Sequence, residues 1–182
     1  QSWAAVRNGV CGVGPITHYD TSNSKTKLAA EVKDFDPAVR VDKRESRKMA
    51  RFTQFAMAAA IEAMEDAGID MEKTDATRFA TIVSAGIGGL PNMEEEHAKG
   101  EQKGFDRVSP FFVPMTIANM AAGQIAIRFG LKGMCVAPVT ACAGGTNAIG
   151  DAFHRIRDGY EDLALCGGAE SSISPLGVGG FT

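Results

Sequence analysis

The sequence is poor in the residues that build metal centres and disulfide frameworks. It has three histidines and four cysteines in 182 residues, with no C-x-x-C pair and no histidine at ligand spacing beside a cysteine. No apolar run approaches the roughly 20 residues that span a bilayer. No charged-then-apolar leader opens the chain, so a cytoplasmic protein without membrane contact is expected, and disulfides are not. Positive charge is not in surplus either: 19 Lys and Arg face 22 Asp and Glu, a net charge of −3. That balance counts against a general affinity for nucleic acid or anionic lipid. No internal repeat is present.

What is present fits one globular domain, with 45% hydrophobic and 23% charged residues. The 21 glycines point to elements packed backbone against backbone. Residues 1–7 read as a helix closed by Asn8-Gly9, residues 12–15 as a turn, and 16–36 as irregular with one short strand near 28–32. The longest helical pattern runs from 44 to 67, with Phe52, Phe55, Ala56, Ala59, Ala60, Ala63, Met64 and Ala67 on the expected buried face and Gly68 closing it. A strand at 78–84 leads into the glycine turn Gly86-Ile87-Gly88-Gly89. A short acidic helix at 93–99, an extended aromatic stretch at 109–114 and a helix at 116–129 follow. Strand 134–139, helix 143–157 and strand 163–166 then form a βαβ unit, which demands a parallel sheet. The closing residues 175–182 carry no expected element. The class is α/β.

One cysteine has a distinctive address. In VTACAGGTNAIGDAFHRI, residues 139–156, Cys142 stands where an apolar strand gives way directly to a helix. Functional groups gather at the carboxyl ends of strands in α/β sheets. The first amides of the following helix are unpartnered and favour an anionic, nucleophilic sulfur. The small Ala143, Gly144 and Gly145 are expected to leave room for a substrate. Cys135 and Cys166 read as core residues and Cys11 as an inert turn residue. A nucleophile needs partners, yet His154 lies about 18 Å along the same helix, His97 follows three glutamates on a solvated face, and His18 sits in a loop.

The stretches VTACAGGTNAIGDAFHRIRDGYEDLALCGGAE and PLGVGGF resemble the nucleophile region of β-ketoacyl-acyl-carrier-protein synthases. SAGIGGL and SPFFVPMTIANMAAG resemble the same family, type II more than its thiolase and polyketide ketosynthase relatives. The resemblance covers essentially the whole chain. It implies a thiolase-like fold of two similar α/β halves in a homodimer, of which residues 1–182 are an N-terminal half lacking the first strand and the second half. It implies that Cys142 is acylated by a thioester and then condensed with malonyl-carrier protein. Two catalytic histidines and a lysine would come from the second half, so activity of these residues alone is not expected, and a lone half would expose a large apolar face. By the same resemblance Ile87 gates the acyl pocket, and Phe112 and Ile117 line it across the dimer interface. No cofactor is implied, the substrates being carried on the phosphopantetheine of acyl carrier protein.

Lys43, Arg44, Arg47, Lys48 and Arg51 form a basic cluster in an acidic chain. Arg44, Arg47, Lys48 and Arg51 recur at spacings that share a helical face, and the resemblance makes Arg44, Arg47 and Lys48 a docking patch for acyl carrier protein. Other readings stand beside this one. The glycine turn fails as a dinucleotide site, because G-x-G-x-x-G would need glycine at Pro91. A cysteine hydrolase would need His18 or His97 near Cys142. A non-catalytic half that only dimerises or binds carrier protein is the remaining alternative.

Overall fold

Residues 2–182 are described by the computed structural model, and they fall into two units, residues 2–35 with Ile173–Thr182, and Asp36–Ser172. In the smaller unit, α1 (Ser2–Arg7) ends at Gly9, whose φ of 64° only glycine adopts cheaply; Gln1, included in the expected helix, lies outside the described residues. The expected turn at 12–15 instead contains β1 (Gly14–Pro15), paired antiparallel with β2 (Leu28–Ala29), which is shorter than the strand expected there. The carboxylate of Glu31 accepts from both the amide and the hydroxyl of Thr17 at 2.8 Å.

The larger unit departs first from the sequence reading at the long helix. Residues 44–67 are not continuous: α2 (Lys43–Ser46) stops, and α3 (Arg51–Ala67) begins after a break at extended Ala50. Asp42 caps α2 by accepting from the amides of Arg44 and Glu45. Gln54 reaches back and donates to the carbonyls of Ser46 and Met49, at 2.9 and 3.1 Å, which ties the broken turn to the start of α3. The buried face of α3 is also turned from the expected one. Phe52, Ala56, Ala60 and Met64 are buried as read, but Thr53, Met57 and Ile61 join them while Ala59, Ala63 and Ala67 face solvent. Met57 and Ile61 remove far more apolar area from water than alanines do, and they set the orientation.

The strand β3 (Phe79–Ser84) is buried along its whole length, as an apolar run covered on both faces must be. It is followed by α4 (Leu90–Lys103), longer at both ends than expected. The aromatic stretch 109–114 is not extended. The Ser109 hydroxyl accepts from the Phe111 amide and the Ser109 carbonyl from the Phe112 amide, and this turn starts α5 (Phe112–Thr116). Then come α6 (Met120–Phe129), closed by Gly130 at φ 67°, and β4 (Cys135–Val136), cut short because Pro138 cannot donate to a ladder. The chain continues through α7 (Gly144–Arg157) and β5 (Leu163–Gly168). In the smaller unit α8 (Pro175–Gly180), where no element was expected, starts on proline with Ser174 accepting from the Gly177 amide.

The sheet is parallel, as the βαβ pattern requires, with order β4-β3-β5. The two strands of the expected unit are not neighbours, because the most apolar strand, β3, takes the centre. Ala80 and Ile82 of β3 pack under Ala148 and Ala152 of α7, while Val83 meets the cluster formed by α3 and α6. Cys135 and Cys166, expected in the core, lie on the flanking strands and are exposed. Partial burial among apolar neighbours nevertheless pushes both thiols above the usual thiol range.

The strand starts are tied by charge. The Arg78 guanidinium donates to both carboxylate oxygens of Asp162, at 2.7 and 2.6 Å. The hydrogen bonds from Arg78 hold Asp162 below its ordinary value of 3.8. A carboxyl depressed on folding contributes stability above the unfolded value, and that contribution is lost as pH falls through the folded one. Thermal melts of Asp162→Asn and the native protein are therefore expected to differ at neutral pH and to converge as pH drops below 3.8.

Candidate active site

The carboxyl ends of the three strands are joined through one buried serine. Ser84, the last residue of β3, donates its hydroxyl to the Pro138 carbonyl at 2.6 Å, and its own carbonyl accepts from the Ala169 amide at 3.0 Å. β4 and β5 are thereby fixed to β3 just where their loops depart.

From Pro138 the chain turns sharply. Ala141 has φ of +49°, a left-handed conformation that costs an alanine about 1–2 kcal/mol. That kink opens a 3-10 turn, Ala141–Ala143, which runs straight into α7 and presents Cys142 to solvent. The turn's first internal bond is from the Ala143 amide to the Thr140 carbonyl. No side chain caps either the turn or α7. The backbone amide of Cys142 thus precedes the turn's own bonding, beside its own sulfur.

The space at Gly144 and Gly145, two of the three small residues expected to leave room for a substrate, is filled by neighbouring structure. Gly144 is buried, and a methyl there would collide with the Ser84 side chain. Gly145 meets Gly168 backbone to backbone, a Cβ on Gly168 falling 2.9 Å from the Gly145 Cα. They let the start of α7 sit directly on the strand ends, and so place the cysteine; they are not substrate space.

The glycine turn after β3 leaves the same end of the parallel sheet. Gly88 and Gly89 press on residues 115–118: the Gly89 amide donates to the Thr116 carbonyl at 3.1 Å, and a Cβ on Gly89 would strike the Met115 carbonyl. Ile87 and Ile117 therefore project from abutting segments, 41% and 43% exposed, with Phe111 and Val113 exposed as well and Phe112 half-buried. Of the three residues read as pocket-lining, Ile87 and Ile117 thus stand on abutting segments, and Phe112 is the first residue of α5, which leads into Ile117.

The basic residues reach these segments through Lys48. Arg44 lies on α2, Arg47 closes that helix and Lys48 follows it, all exposed, so the single helical face expected for them with Arg51 does not exist. The Lys48 ammonium lies 5.8 Å from the centre of the Phe111 ring, linking the basic turn to the aromatic segment. The histidines are engaged elsewhere: His18 near Glu31, His97 edge-on to Phe105, and His154 edge-on to Phe153. Among the described residues no group of three or more His, Cys, Asp or Glu side chains could hold a metal ion, and no helix is long and apolar enough to cross a membrane.

Two residues that sequence reasoning passed over complete the site. Ser84 had no signal beyond its place at a strand end. Glu170, in the GGAE following β5, accepts from the Ile87 amide at 2.6 Å and from the Gly88 amide at 3.4 Å. Its other oxygen accepts from the Ser171 amide at 2.7 Å.

The description "Beta-ketoacyl synthase, N-terminal domain" belongs to the family model that matches residues 1–182. The chain is 42% identical over 179 residues to 3-oxoacyl-acyl-carrier-protein synthase 2 of Synechocystis sp., covering 98% of this chain and 43% of that protein. It is 44% identical over 181 residues to the Staphylococcus aureus protein of the same name, covering 100% and 45%. The chain thus spans less than half the length of these curated relatives. Among solved structures it is similar to the ishigamide ketosynthase/chain length factor, with 30% identity and a TM-score of 0.80 over 91% of this chain and 41% of that one. A beta-ketoacyl synthase from Burkholderia phymatum, at 24% identity, shares the fold with a TM-score of 0.81 over 98% and 44%. A chain of AntDE:AntF, a type II PKS acyl-carrier protein in complex with its ketosynthase bound to the hexaketide, matches at 26% identity and a TM-score of 0.73 over 80% and 42%. With its α/β, thiolase-like fold and a match along its full length, the chain belongs to the beta-ketoacyl synthase family, as an N-terminal domain.

Proposed function

We propose that the whole protein is a 3-oxoacyl-acyl-carrier-protein synthase of fatty acid elongation and that Cys142 is its nucleophile. The carrying observation is the exposed cysteine on a strained kink at the head of an uncapped helix. The thiolate attacks the carbonyl of an acyl thioester, and the Cys142 amide donates to the resulting oxyanion. The pantetheine sulfur leaves and takes up a proton, and the acyl group stays on the cysteine. The C–C bond to the carboxylate of malonyl-carrier protein then breaks, releasing CO2. The carbanion so formed attacks the acyl-cysteine, the cysteine sulfur leaves, and a 3-oxoacyl chain longer by two carbons is released.

The histidines and lysine of the condensation step are assigned, by the family resemblance, to a second half. The chain's share of its relatives, 43–45% of their length, supports that domain reading. So does the outer face of α7, where Ile149, Phe153 and Ile156 are exposed in helical register. Acyl carrier protein is the proposed partner, reached through Arg44, Arg47 and Lys48; the AntDE:AntF complex joins such a carrier to its ketosynthase. Ile87, Phe112 and Ile117 are proposed to line the acyl pocket. A cytoplasmic homodimer without a resident cofactor completes the reading. The relatives at 42–44% identity favour fatty acid over polyketide substrates, since the polyketide structure in the comparison stands at 26%.

The test is product analysis of the whole protein supplied with acyl- and malonyl-carrier thioesters. A 3-oxoacyl product two carbons longer is expected. Free fatty acid without condensation would instead show a cysteine hydrolase, and no turnover at all a non-catalytic protein.

A further inference from the structure

Glu170 spans two neighbouring strand ends with a single carboxylate. It follows β5, yet one of its oxygens lies 2.6 Å from the Ile87 nitrogen and 3.4 Å from that of Gly88, both in the turn after β3. The other oxygen is held by the Ser171 amide at 2.7 Å. The carboxylate also sits close over Gly86, where a Cβ would come within 3.2 Å of it. Backbone amides in a turn that no ladder satisfies must find acceptors, and here an ionised side chain supplies one, the stronger kind of hydrogen bond. On its far side the same turn is fixed by the Gly89 amide and the backbone at 115–118. Ile87 is thus carried on a short segment clamped on one side by Glu170 and on the other by the segment bearing Ile117. The side chain of Ile87 itself is 41% exposed.

We propose that Glu170 is a positioning residue for acyl selection. Its carboxylate sets the position of the turn that carries Ile87, and thereby the length of acyl chain that the cysteine accepts. This rests on the proposed function and adds a residue that touches neither the acyl group nor the sulfur.

The readout is the rate of Cys142 acylation, by intact mass, with a short and a long acyl thioester, in the whole protein and three variants. Glu170→Asp keeps the charge but withdraws it by one methylene, and Glu170→Ala removes it. In both, the ratio of the two rates is expected to move toward unity by about threefold or more. Glu170→Gln keeps one acceptor oxygen for the Ile87 amide but turns an NH2 toward the Ser171 amide, and its ratio is expected to fall between those of the native protein and Glu170→Asp. Equal slowing of both thioesters in Glu170→Asp, with the ratio unchanged, would overturn the proposal, as would a Gln variant no better than Asp. Should Glu170→Ala not fold, the Asp and Gln pair decides alone. Failure of the native protein to form any acyl adduct is a separate result, and it would remove the proposed function together with this inference.

Discussion

Replacing Cys142 by alanine is expected to lower condensation by the whole protein at least about 1,000-fold, because no other group on the elbow can hold an acyl chain. Folding is expected to be unaffected. The side chain is exposed, and the kink at Ala141 and the glycine contacts behind it are made by other residues. The companion variants sharpen this. Cys135→Ala and Cys166→Ala remove thiols that sit on flanking strands and are pushed toward the protonated form. Each should retain activity within about twofold. Steady-state rates and thermal melts on the three variants separate loss of a nucleophile from loss of structure.

The second large effect is on stability. Gly144→Ala puts a methyl into the Ser84 side chain, which is itself fully buried and bonded to the Pro138 carbonyl. Neither neighbour can yield without breaking the tie between β3 and β4. A loss of about 3 kcal/mol is expected, read as a fall in the denaturation midpoint, together with slower acylation because the elbow shifts. Gly150→Ala supplies the control on the same helix. Nothing lies within 4 Å of a Cβ at Gly150, so there alanine should stabilise by roughly 0.5–1 kcal/mol through helix propensity. Equal effects at the two positions would show that glycine content, and not the close approach to Ser84, governs this helix.

The parts of the fold legible in the sequence were those written in local pattern. FATIVS had to be a covered strand, Gly68 and Gly130 had to end helices, and the address of Cys142 followed from a strand running directly into a helix. What escaped depended on contacts distant in sequence. The break at 47–50 is stabilised by Gln54 reaching backward, and no periodicity announces it. Strand order was hidden because pairing of β3 between β4 and β5 is a tertiary choice. Cys135 and Cys166 read as core because an apolar strand does not state whether it lies at an edge. Gly144 and Gly145 were read as space for substrate, since smallness in sequence does not say what fills the gap. Glu170 carried no local signal, and its bond to Ile87 spans 83 positions.

The most direct test is to locate the acyl group. The whole protein would be exposed to an acyl-carrier thioester, digested, and each of its cysteine peptides weighed. An adduct confined to the peptide holding Cys142, and absent in Cys142→Ala, is the expected result. An adduct on Cys11, Cys135 or Cys166 in place of Cys142, or no adduct at all, would contradict the assignment of the elbow cysteine as the acyl carrier.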